Sequence, residues 1–269
     1  MTRLRTEWIT HILDGMDGYN MVLKERAGID LRGLMMKVWD MDESFLAEAA
    51  RRHRIAVVPI TQGQGIITSF GESVASIVRS AGFSAEVMEH TDVDGIYEGV
   101  KKGCDIFFFA DDTRYLALNI RTGRASDNNI STARGFINVL DAMMRLRGRD
   151  MHREKLLMIG YGIVGREAEK LLAAEKIDID IYDKDVDTTK GLKYNILAGK
   201  TEIRNYRNIL DFTNEGGWLT EDCIHPQLIY ATPGVPYSPD EKTAALIEES
   251  AVHDDLEIGT AVMLGEVIK

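Results

Sequence analysis

Gly160-Tyr161-Gly162-Ile163-Val164-Gly165 places three glycines between an apolar run ending at Ile159 and a helix-like tail. A G-x-G-x-x-G at such a junction suits one task above others, the holding of a pyrophosphate. Gly160 permits the tight turn out of the strand. Gly162 removes the Cβ that would keep phosphates from the backbone, and Gly165 lets the helix pack close to the strand. The helix N-terminus adds free N–H groups and a positive dipole end. The next strand, IDIDIYD, ends at Asp183, roughly twenty residues on, where a carboxylate accepts hydrogen bonds from ribose hydroxyls. A phosphate on that ribose would be repelled by Asp183. Lys184 follows, but no arginine stands there to offset the repulsion, so the expected cofactor is NAD rather than NADP. Three alternatives remain: a glycine turn without ligand, a methyltransferase loop for S-adenosylmethionine, and an FAD site. The methyltransferase loop does not need the third glycine at this spacing. FAD loops usually open a chain.

In open α/β sheets ligands bind beyond the carboxyl ends of the strands. Three further polar stretches follow strand-like runs. Thr61-Gln62-Gly63-Gln64-Gly65 follows IAVVPI, Asp111-Asp112 follows DIFFFA, and Thr232-Pro233-Gly234-Val235-Pro236 follows an apolar run at 228–232. Each also has a plain structural reading. The first is a flexible turn, the aspartates cap a helix starting near Thr113, and the third is a rigid turn. Asp127-Asn128-Asn129 reads as an Asx turn. The six histidines are scattered without H-x-x-H or H-E-x-x-H spacing, so no metal site is expected. Lack of a general-base histidine argues against the usual 2-hydroxy-acid dehydrogenase.

The elements that must position these residues follow from periodicity. Over residues 5–54, Trp8, Ile9, Ile12, Leu13 and Met16 share one helical face, and Leu31, Leu34, Met35 and Val38 share another. Asp42 before Phe45 and Leu46 marks a third helix start. Strands are expected at 55–60, 84–89 and 105–110, with helices at 71–81, 95–102 and 131–144, an alternation that implies a parallel sheet. The basic stretch RLRGRDMHRE, 145–154, reads as a linker. Beyond it the alternation restarts, with strands at 155–159, 177–182, 209–213, 228–232 and 252–257. The expectation is an α/β protein. Residues 1–148 form a substrate domain with a helical start, 149–269 form a Rossmann-type dinucleotide domain, and the active site lies in the cleft between them.

Composition sets the outer bounds. A hydrophobic fraction of 45% with 28% charged residues fits an ordinary globular chain. The net charge of -11 argues against a nucleic-acid partner and suits a cationic or zwitterionic small substrate. Cys104 and Cys223 lie far apart and fit a reducing compartment. With no apolar run near membrane-span length and no signal-peptide core, a cytoplasmic protein without membrane contact is expected. The apolar helices over 5–23 and 131–144 offer an interface for a homodimer.

IAVVPITQGQGIITSF, DIFFFADDTRYLALNIRTGRASDNN, MIGYGIVG, ATPGVP and EIGTAVML, in that order, resemble the PylD family over nearly the whole chain. GIDLRGL at 28–34 extends the resemblance toward the N-terminus. The glycine loop is shared by many dehydrogenases; TxGxGII, ADD and the Asn-Asn pair at these spacings are far more specific. The family comprises NAD-dependent dehydrogenases that perform the last step of pyrrolysine biosynthesis. The resemblance implies oxidation of the terminal primary amine of N6-(3-methyl-D-ornithyl)-L-lysine. The imine or semialdehyde then cyclises to a pyrroline with release of ammonia. It further implies substrate contacts at Gln62, Gln64, Ala110, Asp111 and Asn128, with Leu4 sealing the site from a closing N-terminal helix. Both glutamines depart from the family, which carries serine and asparagine there. Among these residues Asp111 is the expected catalytic group, as a binder and orienter of the amine. Cofactor contacts are expected from Gly160, Tyr161, Gly162, Ile163, Val164, Gly165, Asp183, Thr232 and Pro233. An NAD-dependent dehydrogenase of another amino acid or opine-like amide, and a non-catalytic NAD-binding sensor, are the competing readings.

Overall fold

The structure is a computed structural model that describes residues 4–269. Four helices open it: α1 (Thr6–Ile9), α2 (Ile12–Ala27), α3 (Leu31–Trp39) and α4 (Glu43–Arg52). Asp30 and Asp42 start α3 and α4 by accepting the backbone N–H of Gly33 and Phe45, so Asp42 marks a helix start as its sequence context implies. The first sheet contains β1 (Arg54–Val57), β2 (Ser84–Val87), β3 (Ile106–Ala110), β4 (Tyr115–Asn119) and β5 (Arg124–Asp127) in the order β2-β1-β3-β4-β5. Helices α5 (Phe70–Ser80) and α6 (Asp92–Lys101) cross between its parallel strands.

This sheet is mixed rather than parallel. β4 runs antiparallel to β3, and β5 antiparallel to β4, in a meander. The segment after Asp112 alternates, with Tyr115, Ala117 and Asn119 buried and Leu116 and Leu118 half-buried, which is a strand period. The helix expected near Thr113 is therefore a turn, closed by Asp111 N–H donating to the Arg114 carbonyl at 2.9 Å.

Helix α7 (Asn128–Leu146) leads into the second sheet. It is built from β6 (Leu156–Ile159), β7 (Ile179–Tyr182), β8 (Asn208–Asp211), β9 (Ile229–Thr232) and β10 (Ala251–His253), with α8 (Ile163–Ala174) after β6 and α9 (Glu241–Ile247) after β9. All its strands are parallel, in the order β10-β9-β8-β6-β7. The order reverses between β6 and β8, and that switch point is where doubly wound sheets bind ligands. This is a Rossmann-type sheet.

The last helix, α10 (Glu257–Ile268), does not stay with the second sheet. It packs on α7, α3, α5, β4 and β5. Its sequence, EIGTAVMLGEVI, is apolar nearly all round, as a helix buried on every side must be. Glycines allow the close approach: a Cβ on Gly135 would lie 2.3 Å from Ile258, and one on Gly265 would lie 2.4 Å from Trp39. The Trp39 indole N–H meanwhile donates to the Val262 carbonyl at 2.9 Å. α10 thus ties the end of β10 to the floor of the first half. Among the described residues no helix is long and apolar enough to cross a membrane.

Candidate active site between the two sheets

One cavity of about 320 Å³ is walled by both halves. From the second half come Val164, Phe212, Thr213, Asn214, Pro233, Gly234 and Val235. These follow β6, β8 and β9 and flank the switch point. From the first half come Ala110 at the end of β3, Asp111 and Asp112 after it, Asn128 and Asn129 at the start of α7, and Leu4 ahead of α1. Between them runs an apolar trough that includes Val57, Ile60, Ile67, Phe70 and Val87.

The glycine loop has the shape its sequence demands. Gly160 has φ +84°, and a Cβ there would come within 2.9 Å of the Phe212–Thr213 backbone. A Cβ on Gly165 would sit 2.0 Å from the Gly160 carbonyl oxygen, so helix and loop touch through bare backbone. Gly162 differs: nothing lies within 4 Å of its missing Cβ. The free space at Gly162, at the head of α8, is the open cradle a pyrophosphate needs, and the loop fits a dinucleotide. Tyr161 N–H donates to Asp183 Oδ2 at 2.6 Å and Asp185 N–H to Oδ1 at 2.9 Å, so Asp183 pins the loop from the end of β7. Ile163 is exposed, Tyr161 is buried under the Arg166 guanidinium, and Val164 reaches the cavity.

The neighbouring strand ends are fastened internally. Buried Asp211 accepts from the Tyr230 hydroxyl at 2.6 Å and from the Thr213 N–H and hydroxyl at 2.8 and 2.7 Å. Burial pushes its carboxyl up, against the pull of those donors. Thr232 is fully buried; its hydroxyl accepts the Gly234 N–H at 2.8 Å and shapes the turn, while Pro233 faces the cavity.

On the opposite wall Asp111 Oδ1 accepts the N–H of both Thr113 and Arg114 at 2.7 Å. Arg114 reaches Asp127 Oδ2 at 2.5 Å, and Asp127 caps α7 by accepting the Asn129 N–H, so these contacts join the β3–β4 turn to the start of α7. Asn128 Oδ1 takes a long hydrogen bond from Thr132, 3.3 Å, above Gly259 of α10. Leu4, Ala110, Asp111, Asn128, Val164 and Pro233 therefore share one cavity. Gln62 and Gln64 do not line it; both are exposed on a loop whose Gly65 does. That loop hangs on two carboxylates: Gln64 N–H donates to Asp112 Oδ2 at 2.6 Å, and Thr61 donates to Asp92 through its N–H and hydroxyl.

Sequence reasoning passed over Asp255. It follows β10, so the strand-end rule that selected Asp111 points to it equally. The expected strand at 252–257 conceals it; the observed strand stops at His253, and Glu257 already begins α10. Asp255 lines the cavity with its side chain 11% exposed. Burial and the nearby Glu257 push its carboxyl up to about 7, while His11 pulls the other way. Among the described residues no group of three or more histidine, cysteine or acidic side chains is arranged to hold a metal.

A Rossmann-type sheet with an open glycine cradle, facing a mixed α/β half across this cavity, is the fold class of nicotinamide-dependent dehydrogenases. Solved structures agree at the level of fold. The bifunctional 5,10-methylenetetrahydrofolate dehydrogenase/cyclohydrolase from Thermoplasma acidophilum superposes with a TM-score of 0.52 at 12% identity, over 86% of this chain and 94% of that one. Shikimate 5-dehydrogenase from Thermus thermophilus, in complex with shikimate, gives 0.50 at 11%, over 79% and 91%.

Sequence comparison narrows the kinship. Residues 9–126 match the family model described as pyrrolysine biosynthesis protein PylD, N-terminal domain. Pyrrolysine synthase from Methanosarcina barkeri is 26% identical over 91% of this chain and 90% of its own length. The enzyme of that name from Methanosarcina acetivorans is 25% identical over the full length of both. The chain is homologous to the pyrrolysine synthases at low identity.

Proposed function

We propose that this protein is an NAD-dependent dehydrogenase. In this reading it oxidises the terminal primary amine of N6-(3-methyl-D-ornithyl)-L-lysine, and the product closes to a pyrroline ring with release of ammonia. The observation that carries the reading is the shared cavity. Val164, Phe212 and Pro233 stand on the cofactor side and Asp111 on the other, at a site in a chain similar end to end to pyrrolysine synthases. When bound, the nicotinamide accepts two electrons and one hydrogen from the C–H bond beside the amine. The residues of this chain do the rest. Asp111, anchored by two backbone N–H groups, offers a carboxylate to a cationic amine. The apolar trough takes the alkyl chain, and Leu4 ahead of α1 limits entry of bulk water. Ala110 and Asn128, which line the cavity, serve substrate recognition, and Gln62 and Gln64 stand on the exposed loop at its rim.

The cofactor is NAD in this reading. Asp183 holds the ribose position, and Lys184, the nearest cation in sequence, is already paired with Glu215. Tyr161, Ile163 and Thr232 contribute through the loop and the turn they shape.

The test is direct: mix protein, NAD and the pseudo-dipeptide, and follow reduced nicotinamide by absorbance. Steady reduction is expected, and none with pure substrate sinks the proposal. A second reading, a dehydrogenase of another amino acid or opine-like amide, rests on the two exposed glutamines outside the cavity. It predicts reduction with such substrates and none with the pseudo-dipeptide.

A further inference from the structure

Asp255 is a second carboxylate in the cavity, and anchoring the substrate through Asp111 leaves it without a task. Its surroundings are specific. On its own turn, Asp254 accepts the Tyr19 hydroxyl at 2.6 Å and the Ile258 N–H at 3.1 Å. Glu257 faces His11 at 3.3 Å and takes the Leu256 N–H at 3.0 Å. Both neighbours are thus engaged with the protein from two directions. Asp255 has His253 3.5 Å away, a ring that lies 2.9 Å from the Gly234 carbonyl, and otherwise opens on the cavity. It stands at the end of β10, beside the Pro233–Val235 turn on the cofactor side.

Building on the amine-oxidation reading, we propose that Asp255 takes the proton from the substrate's terminal ammonium. An ammonium N–H bond breaks and a carboxyl O–H bond forms. The freed nitrogen lone pair becomes the second bond of C=N as the adjacent C–H bond gives its electron pair to bound NAD, the oxidant. Asp111 then anchors, and Asp255 accepts. The division of labour follows from magnitudes. A free primary amine loses its proton near pH ~10, and a carboxylate near ~4 is about a million-fold too weak to take it efficiently. A group brought to about 7 closes half of that gap. Burial and Glu257 raise the Asp255 carboxyl, and His11 between α1 and α2 opposes them; the other titratable groups facing this turn are Asp254 beside it, His253 on β10 and Tyr19 on α2. His253 is held toward its neutral form by burial, which leaves His11 as the opposing charge.

The experiment compares wild type with Asp255→Asn and Asp255→Glu, using NAD and the pseudo-dipeptide across a pH series. The free protein is titrated in parallel, with its aspartate carboxyls followed by 13C NMR. Wild-type kcat/KM is expected to fall as the pH drops through about 7, when the acceptor is already protonated. Asp255→Asn should lower kcat by about 100-fold or more, the usual range for a general base, and abolish that acidic limb. Asp255→Glu should restore part of the rate, and NAD affinity should stay within about twofold in both variants. An Asp255→Asn protein that keeps wild-type kcat and pH profile overturns the role of Asp255, as does an Asp255 carboxyl titrating near ~4. A wild type that binds NAD yet oxidises no amine overturns the functional reading instead, a separate outcome.

Discussion

The loops after β1 and β6 each carry glycines between a strand and a helix, and both border one cavity, yet they are secured by different means. In the second loop a Cβ meets backbone atoms at both Gly160 and Gly165, at 2.9 and 2.0 Å, with the Thr213 methyl equally close to the first. In the first loop the obstacle at Gly63 is the Asp112 side chain, 2.2 Å away, and hydrogen bonds to Asp112 and Asp92 tie the loop down. Backbone cannot step aside, whereas a carboxylate can change rotamer. In the proposed function the fixed loop serves the dinucleotide and the adjustable loop borders the substrate. Gln62 and Gln64, where the resemblance implies serine and asparagine, fall on the adjustable loop.

The largest effect expected from breaking this contrast is at Gly165. Gly165→Ala forces a methyl into the Gly160 carbonyl, and it should cost about 3 kcal/mol of stability and abolish dinucleotide binding. Thermal melts and an NAD titration check both. Gly162→Ala sharpens the point because its Cβ meets nothing. Stability should stay within about 0.5 kcal/mol, while NAD affinity falls ~10–100-fold because the methyl occupies the phosphate's approach. Equal losses of stability in the two variants would contradict the assignment of Gly162 as an open cradle.

The two loops were not equally legible in the sequence. The second was read nearly whole, since three glycines, a strand before them and an acid at the next strand end are local features with a single backbone solution. The carboxylates that hold the first come from residues 92 and 112, far along the chain, and no local pattern names them. The same limit explains β4 and β5. Their short alternation follows an aspartate pair that looks equally like a helix cap, and only pairing with β3 settles the matter. No helix is assigned over 257–268 from the sequence, and the return of α10 to the first half depends on Gly135, Gly265 and Trp39, positions a hundred residues or more apart in two of three cases. Asp255 was hidden by an end-of-strand placement in error by a few residues, enough to turn a cavity residue into a strand residue.

Asp255 also gives the comparison a pH dimension. Its folded carboxyl titrates near 7, above its ordinary value, so between about 4 and 7 the folded state holds a proton that the unfolded state has lost. Its contribution to stability is therefore full below pH ~4 and is lost as pH rises through about 7. Buried Asp254 and Asp211 are raised as well and add slopes of the same sign. Asp255→Asn should remove one share of the loss, so its melting temperature relative to wild type should rise from pH 5 to pH 8. A constant difference across that series would contradict the buried, proton-holding state.

Smaller effects belong to the first loop. Asp112→Asn weakens the charge-assisted bond to the Gln64 N–H, for about 1 kcal/mol of stability at an exposed site. It should raise the substrate KM about tenfold, worth ~1.4 kcal/mol, with NAD affinity unchanged. A matching loss of NAD affinity would mean that the loops are coupled rather than independent.

Gln62→Ser with Gln64→Asn is the mildest change and the most discriminating. Both side chains are exposed and outside the cavity lining, so stability should move by no more than about 0.5 kcal/mol. The functional outcome depends on what the loop does when substrate is present. If the loop shifts inward on its two carboxylate ties, shorter side chains admit a bulkier ligand, and activity on the pseudo-dipeptide should rise by a few-fold relative to other amines. If the loop keeps its place, the glutamines never reach the ligand and the substrate profile stays as it was. Profiling the double variant against a panel of amino-acid amides, with NAD saturating, separates the two. An unchanged profile would show that specificity lies on the lining residues Asp111, Asn128 and Leu4, and that the adjustable loop is only a rim.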